Sequence, residues 1–285
     1  MKRRDFIRKG FGAGVFAGGI GSFGNLGHIF AQDQGMGPQD YDLVAVKGAD
    51  PKTMLDLALE AAGGMGRYVK KGQTVVVKPN IGWDVIPERA ANTNPALVKR
   101  LVEHCFNAGA KQVFVFDNTC DKWNKCYENS GIQPAAEDAG AKFVPGHTES
   151  FYHEVPVTKG ESLKNTKVHE LILESDVFIN VPVLKSHSSA RLTIAMKNLM
   201  GVVWDRGWWH KHDLHQCIAD YATFYRKPDL NIIDAYRVMM KNGPRGVSKE
   251  DVVEMKSLIM SEDMVAADAA AALIFGIEPS GVEYI

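Results

Sequence analysis

From residue 43 onward, short apolar runs alternate with segments of helical pattern, and this alternation constrains the fold more than any other feature of the sequence. It favours a parallel sheet, because each helix returns the chain to the edge where the next strand begins. We therefore predict an α/β fold with a doubly wound, mostly parallel sheet and helices on both faces. The predicted strands span residues 43–46, 74–77, 113–116, 143–144, 177–181, 230–233 and 258–260, and the predicted helices span residues 52–69, 95–108, 132–139, 167–174, 189–200, 213–226 and 263–275.

Residues 1–31 have the pattern of a twin-arginine export signal. Adjacent Arg3 and Arg4 precede a glycine-rich, weakly hydrophobic stretch. A membrane anchor is the alternative, which the many glycines disfavour. We expect the twin-arginine translocation machinery to export the protein to the periplasm. Residues 32–42 would then be a polar tether, and residues 43–285 a single domain with an inserted region over 118–170.

The charge balance limits the kinds of partner. The chain of 285 residues has a net charge of -1, with 45% hydrophobic and 24% charged residues, as in ordinary globular proteins. Without residues 1–31 it keeps 28 basic and 33 acidic side chains, a net charge of -5. This disfavours nucleic acid, because phosphate neutralisation needs a basic face. No segment beyond residue 31 has the length and apolarity that predict a stable membrane span.

The four cysteines form no Cys-x-x-Cys pair, so the chain carries no iron–sulfur cysteine motif and no self-contained structural zinc module. Cys120 and Cys126 lie in a polar loop, where a disulfide and two free thiols are equally expected for an exported protein. Cys105 belongs to an apolar helical pattern and is expected in the core. Because the twin-arginine route carries folded proteins, a cofactor acquired before export is expected, without indication of its identity.

Polar side chains follow four of the apolar runs at the point where each predicted strand ends. Ligands of open parallel sheets bind beyond the carboxyl ends of the strands, so these side chains are candidates for one binding crevice. For any one of them, the start of a turn is an alternative explanation. The residues are Lys78, Asn80, Asp117, Asn180 and Asp234.

The stretch from Asp176 to Gly201 holds the strongest candidates for chemistry. After the strand, a polar turn carries Lys185 and His187, and a helix is predicted to open at residue 188 or 189. A helix N-terminus favours anions, and a histidine there is a candidate acid, base or metal ligand. A structural histidine is the alternative.

The helix predicted after this turn carries Lys197 and Asn198 within an apolar segment. A buried lysine needs a partner or a ligand, and burial lowers its pKa so that it becomes a candidate base or nucleophile. If the side chain instead extends to water, it is inert.

Two further segments supply binding candidates. His210, His212 and His215 have a spacing that zinc or iron sites use, although surface histidines also cluster by chance. The tryptophans beside them suggest a lid or an aromatic wall. Arg245, in a tight glycine–proline loop, is a candidate clamp for an anion, and a plain surface turn is the alternative.

Seven segments and the Trp/His stretch before Asp220 together resemble the domain-of-unknown-function 362 family, in the family's order and over roughly residues 43–276. The seven segments are VVVKPN (75–80), NTNPALVKRLVEHCFNAGAKQVFVFDN (92–118), INVPVLKSH (179–187), AMKNLMG (195–201), NIIDAYRVM (231–239), NGPRG (242–246) and MVAADAAAALIFG (264–276).

The resemblance implies a set of site positions but no established activity. Members often carry a separate iron–sulfur module, and this chain departs from that pattern because it lacks the cysteine run. A further helix after Ile285 would also be expected. The site candidates carried over are Lys78, Asn80, Asp117, Lys185, His187, Lys197, Asn198, Asp234 and Arg245.

Three functions remain open from the sequence. The first is an exported enzyme that acts on a small anionic substrate, with Lys78, Lys185 and Arg245 binding the anion and His187 or Lys197 transferring protons. The second is a non-catalytic metal or cofactor carrier for an envelope redox or assembly system. The third is an accessory subunit that binds a partner.

Overall fold

The computed structural model describes residues 42–285. The strands are β1 (Leu43–Lys47), β2 (Thr74–Pro79), β3 (Gln112–Val115), β4 (Lys142–Phe143), β5 (Tyr152–Pro156), β6 (Asn165–His169), β7 (Val177–Val181), β8 (Val183–His187), β9 (Arg191–Thr193), β10 (Leu230–Met239) and β11 (Val252–Ser261). The α-helices are α1 (Pro51–Ala61), α2 (Pro95–Asn107), α3 (Trp123–Asn129), α4 (Ile132–Asp138), α5 (Glu170–Glu174), α6 (Ala195–Asn198), α7 (Arg206–Lys211), α8 (Leu214–Tyr221) and α9 (Met264–Phe275).

The main sheet has the order β1-β11-β10-β7-β2-β3-β4. Strand β8 pairs in parallel with the C-terminal half of β10, from Asp234 to Met239. The pairs β10–β7, β7–β2, β2–β3 and β3–β4 are parallel, whereas β11 is antiparallel to both of its neighbours. The prediction of a mostly parallel α/β sheet is therefore confirmed.

Alternating side chains of the central strands enter two separate cores, one on each face of the sheet. Val76 and Phe178 pack into the core that contains α5 to α9, while Val75 and Ile179 pack into the core of α1 to α4. Because both faces of a central parallel strand are covered, these strands are continuously apolar rather than alternating.

The chain reverses its direction of travel across the sheet between β2 and β7. After β2 the path moves through α2 to β3 and β4 on one side, and after β7 it moves to β10 on the other. Lys78 and Asn180 lie opposite each other where these two strands end. A crevice beyond the carboxyl ends of two such strands is the usual ligand position in open α/β sheets.

The structure corrects the helix predicted over residues 189–200. Residues 183–193 form a β8–β9 hairpin instead, and the helix begins only at Ala195. The hairpin turn ends at Arg191, whose φ is 64°. Within the turn, the ring of His187 accepts hydrogen bonds from the backbone N–H groups of Ser189 and Ala190. Thus Lys185 and His187 belong to a strand rather than to a turn before a helix.

Three other predicted elements differ from the structure. Residues 165–169 form β6, so the helix predicted from 167 begins at Glu170. The predicted inserted region, 118–170, is only partly separate, because β4 extends the main sheet whereas β5 and β6 form their own two-stranded sheet. Strands β10 and β11 are ten residues each, more than twice the predicted lengths.

The predicted signal over 1–31 and nearly all of the predicted tether lie outside the described residues. Within 42–285, no helix is long and apolar enough to cross a membrane.

Candidate functional site

A cavity of about 340 Å³ lies beyond the carboxyl ends of β2 and β7, and the β8–β9 hairpin, α6 and α7 enclose it. Eight of the side chains proposed from the sequence line it, His210 among them, together with an arginine that was not a sequence candidate. We call it the cationic cavity and define it by Lys78, Asn80, Asp117, Lys185, His187, Lys197, Asn198 and Arg206.

The floor of the cationic cavity is a buried ion pair. Lys78 Nζ lies 3.0 Å from Asp117 Oδ1 and also donates to the carbonyl and the side-chain oxygen of Asn198. Burial lowers the pKa of Lys78, and the charge of Asp117 opposes that shift. Since two hydrogen bonds and one ion pair hold Lys78 Nζ, this lysine serves as a structural ammonium.

Gly201 makes this ion pair sterically possible. A Cβ atom at this position would lie 1.9 Å from Asp117 Oδ1 and 2.6 Å from Lys78 Nζ. The backbone thus packs directly on the pair, which no other residue type allows without displacing it.

Four asparagines form a one-directional chain of amide hydrogen bonds that begins beside Lys185, which donates to Asn80, and ends at the Ser261 carbonyl. Each amide nitrogen donates to the next oxygen, from Asn80 to Asn198 (3.0 Å), to Asn180 (2.9 Å) and to Asn231 (3.0 Å), and the last donates to the Ser261 carbonyl (3.3 Å). Asn180 therefore lies behind the cavity rather than in its lining, and it fixes the orientation of the amides that do line it.

Lys185 is fully buried and has no carboxylate partner among the described residues. Its ammonium donates to the Ala91 carbonyl and, over 3.3 Å, to Asn80 Oδ1. Burial lowers the pKa of Lys185 to about 7, and the positive charge of Lys197 adds to this effect. Two of its hydrogen-bonding positions are taken, so one position remains for a ligand.

Lys197 is 9% exposed, and within residues 42–285 its Nζ makes no hydrogen bond and no ion pair. Burial lowers the pKa of Lys197 to about 8, and Arg206 and Lys78 lower it further while the Cys120 thiol opposes them. Asp268 fixes the helix that carries it, by accepting the amides of Ala195 and Met196. A buried cation without a partner is costly, which makes this position a candidate for ligand contact.

His187 has its tautomer set by the hairpin turn. Its Nδ1 accepts two backbone amides, each at 3.1 Å, so the proton of the neutral ring is on Nε2. Burial and the charges of Lys197 and Lys185 hold the pKa of His187 well below its usual range. In this arrangement the ring is a neutral hydrogen-bond donor through Nε2.

Several residues that line the cavity were not among the site residues predicted from the sequence. Arg206 donates from both terminal nitrogens to the carbonyls of Asn118 and Thr119, and Thr193 has a buried hydroxyl without a partner. Cys120 and Trp83 also contribute to the lining. These two carbonyls precede Arg206 by 88 and 87 residues in the sequence, so no local sequence pattern predicts the hydrogen bonds. Thr193 could have been found from the hairpin register, which pairs it with Lys185.

Two predicted ligand-binding residues lie elsewhere. Asp234 is buried away from the cavity lining and accepts the amides of Asn94 and Tyr236, with burial raising its pKa to about 6. Arg245 is exposed, and its Nε lies 3.2 Å from Asp121 Oδ2, so its charge is already neutralised at the surface. Asp234 thus stabilises backbone, and Arg245 does not clamp an anion in the cavity.

The three predicted metal-binding histidines do not converge. The ring of His210 borders the cationic cavity, His212 stacks on Trp208 at 3.7 Å, and His215 contacts the Ser189 carbonyl. No group of three His, Cys, Asp or Glu side chains among residues 42–285 is arranged to hold a metal ion. The prediction of this metal site is wrong because the three rings have separate partners.

Cys120 and Cys126 are free thiols in the structure, as are Cys105 and Cys217. Cys126 is buried and approaches the Gly82 carbonyl at 3.7 Å, whereas Cys120 is exposed at the cationic cavity. Cys105 lies in the core of the α1 to α4 face, as expected.

A second cavity, of about 430 Å³, lies on the other side of α7. We call it the tryptophan groove and define it by Glu149, Glu154, Lys167, Trp204, Asp205, Trp208 and Trp209. Three of its charged groups already have partners, because Lys167 pairs with Glu149 and Asp205 caps α7. The predicted aromatic wall therefore borders this groove rather than the cationic cavity.

Comparison with known proteins supports the fold. The chain is 28% identical over 232 residues to a thylakoid-associated protein of Synechocystis, covering 79% of this chain and 70% of that protein. A crystal structure from Thermotoga maritima matches with a TM-score of 0.53 and 13% identity, over 81% of this chain. The lactate racemase apoprotein of Thermoanaerobacterium thermosaccharolyticum matches with a TM-score of 0.47 and 12% identity, over 78%. The chain spans 61% and 54% of these two structures, less than two thirds of each.

The family model described as Domain of unknown function (DUF362) matches residues 75–273, which contain every residue of the cationic cavity. That match covers more than half of the chain. The chain therefore belongs to the DUF362 family.

Proposed function

We propose that this protein is an enzyme that binds a small anionic substrate in the cationic cavity and moves a proton on it. The observation that carries the proposal is the charge imbalance of that cavity. Four permanent or titratable cations, Lys78, Lys185, Lys197 and Arg206, line it with Asp117 as the one carboxylate among its described lining residues. An anion would supply the missing negative charge.

The arrangement supports a different proposed role for each of these groups. Lys78 is paired with Asp117 and donates two hydrogen bonds to Asn198, so it holds the floor of the site. Lys185 and Lys197 keep free hydrogen-bonding positions and have pKa values of about 7 and about 8, near the range in which a general acid or base works best. His187 supplies a neutral N–H donor, which suits a developing negative charge.

Isothermal titration calorimetry with sulfate, phosphate, oxalate and acetate tests the proposal. We expect saturable binding of at least one of these anions at low ionic strength, with Lys197→Met weakening it by about tenfold or more, because a ligand contact to a buried charge is lost. Lys167→Met, at an exposed ion pair in the tryptophan groove, is the matched control and should leave the affinity unchanged. Absence of binding by all four anions would overturn the proposal.

We also propose that the protein is exported to the periplasm by the twin-arginine translocation machinery, on the strength of Arg3, Arg4 and the glycine-rich stretch that follows. A fusion of residues 1–42 to a reporter that is active only after export tests this. Export should be lost when both arginines are replaced by lysine, which keeps the charge. Export that persists in that variant would contradict the twin-arginine route.

A further inference from the structure

The three lysines of the cationic cavity differ in how many partners hold the amine. Lys78 forms an ion pair with Asp117 and donates twice to Asn198, and Lys185 donates to Ala91 and Asn80. Lys197 makes no hydrogen bond or ion pair with any described residue although it is buried. Conversion of Lys78 or Lys185 to an imine would remove hydrogen-bond donors from buried oxygens. Conversion of Lys197 would not remove a donor from any oxygen, because its amine donates to none of the described residues.

We propose that Lys197 is a nucleophile that forms a Schiff base with the carbonyl carbon of a small α-keto acid bound in the cationic cavity. The inference rests on the proposed function and names its substrate class. It requires a ligand with two features, an anionic group for the remaining cations and an electrophilic carbon for the free amine. An α-keto acid carries both on adjacent carbons.

The cavity also offers groups for each part of such a ligand. Lys185 retains one hydrogen-bonding position, which suits the carboxylate. The carbonyl oxygen needs donors, and two side chains of the lining are available. Thr193 has a buried hydroxyl without a partner, and His187 keeps its proton on Nε2 because its Nδ1 accepts two amides.

The chemical step needs no oxidant and no reductant. The neutral Lys197 amine attacks the carbonyl carbon, an N–C bond forms, and the π electron pair of the carbonyl moves to oxygen, which takes the first of the two amine hydrogens. The resulting hydroxyl then leaves as water with the second amine hydrogen, and an imine remains. A nearby cation lowers the pKa of a lysine and so makes the neutral amine available near neutral pH, as in other Schiff-base lysines. The Arg206 and Lys78 charges act on Lys197 in this sense.

Borohydride trapping tests the inference on the full chain. The protein is incubated with pyruvate or α-ketoglutarate at about pH 8, near the pKa of Lys197, reduced with sodium cyanoborohydride, and its intact mass and peptides are measured. We expect one reduced adduct per chain, located on Lys197. Lys197→Arg keeps the positive charge and removes the nucleophile, so the adduct should disappear. Lys167→Arg, in the tryptophan groove, is the matched control and should keep it.

The outcomes separate this inference from the proposed function. An adduct confined to Lys197 supports the inference, and peptide mapping of the unaltered protein shows this even where Lys197→Arg fails to fold. Calorimetric binding of the keto acid without an adduct on Lys197 overturns the inference and leaves anion binding intact. Adducts spread over surface lysines, or persisting in Lys197→Arg, also overturn it. If neither keto acid binds but sulfate does, the inference fails alone, and if no anion binds, both fail.

Discussion

The two cavities that α7 borders are similar in size but differ in whether their lysines have carboxylate partners. Arg206 and His210 face the cationic cavity, and Trp208 and Trp209 border the tryptophan groove, so one short helix contributes to both. The groove is the larger, at about 430 Å³ against about 340 Å³. Size alone would therefore select the tryptophan groove rather than the cavity that contains the unpartnered charges.

The difference lies in which buried charges remain without a counterion. In the groove, Lys167 pairs with Glu149 at 2.5 Å, and both side chains are about half exposed, so the pair is well solvated. In the cationic cavity, Lys185 and Lys197 are buried and have no carboxylate partner among the described residues. Burial of such a charge costs free energy unless a ligand offsets it. Unpartnered charge, rather than volume, identifies the candidate site.

Substitution of Gly201 should give the largest effect on the cationic cavity. In Gly201→Ala the new Cβ would displace the Lys78–Asp117 pair, and disruption of a buried pair costs roughly 3 to 5 kcal/mol in the free energy of unfolding. Urea denaturation measures this loss. Gly207→Ala in α7 is the control, because its nearest contact would be 3.4 Å away and the cost should stay within about 0.5 kcal/mol. Equal stability of the two variants would contradict the role of the pair.

The buried amine of Lys185 should make stability depend on pH. Its pKa falls from 10.5 to about 7 on folding, so between these values the unfolded chain binds more protons and stability rises with pH. The free energy of unfolding of Lys185→Met, minus that of the unaltered protein, should be most positive below about pH 7. It should fall by roughly 4 kcal/mol toward about pH 10. Urea denaturation at several pH values measures this difference, and a constant difference would contradict burial of the unpaired amine.

Anion binding should weaken as pH rises. Lys185 and Lys197 lose their protons at about pH 7 and about pH 8, so the cavity loses positive charge over this range. We expect the affinity for sulfate, whose own charge is constant here, to fall by about tenfold or more between about pH 6 and about pH 9. Calorimetric titration measures the fall. An affinity that is flat or rises with pH would show that these lysines do not bind the anion.

The asparagine chain should give the smallest effect. Asn231→Ala removes the acceptor for Asn180, two hydrogen bonds away from the cavity lining, and so loosens the amides that orient Lys185. We expect a stability loss of about 1 to 2 kcal/mol and a roughly threefold weaker affinity for sulfate. Asn129→Ala, at an exposed hydrogen bond to Asp84, is the control and should leave the affinity unchanged. Equal affinities in the two variants would show that the chain is only structural.

The sequence predicted the part of the site that local patterns determine. Lys78, Asn80, Asp117 and Asn180 each follow an apolar strand, and the carboxyl ends of parallel strands meet at one edge of the sheet. Their convergence could therefore be predicted. Lys185 and Lys197 were also identified, although the structure places Lys185 on a hairpin strand, because the apolar spacing around Leu192 fits a strand as well as a helix.

The remaining errors concern contacts between distant segments. A hydrogen bond to the Asn118 carbonyl holds the Arg206 side chain at the cavity, whereas an ion pair with Asp121 holds the Arg245 side chain at the surface. Neither contact has a local signal. The three histidines share a short segment, but their rings diverge because His212 stacks on Trp208 and His215 meets the hairpin turn. The spacing of the three histidines in the sequence does not predict these contacts.

The most direct test of the central claim is a crystal structure with a heavy-atom anion. Crystals of the protein soaked in selenate should show an anomalous peak inside the cationic cavity, within hydrogen-bonding distance of Lys197 Nζ. The peak should be absent in Lys197→Met. An empty cationic cavity, with selenate bound only at the outer surface or in the tryptophan groove, would contradict the claim.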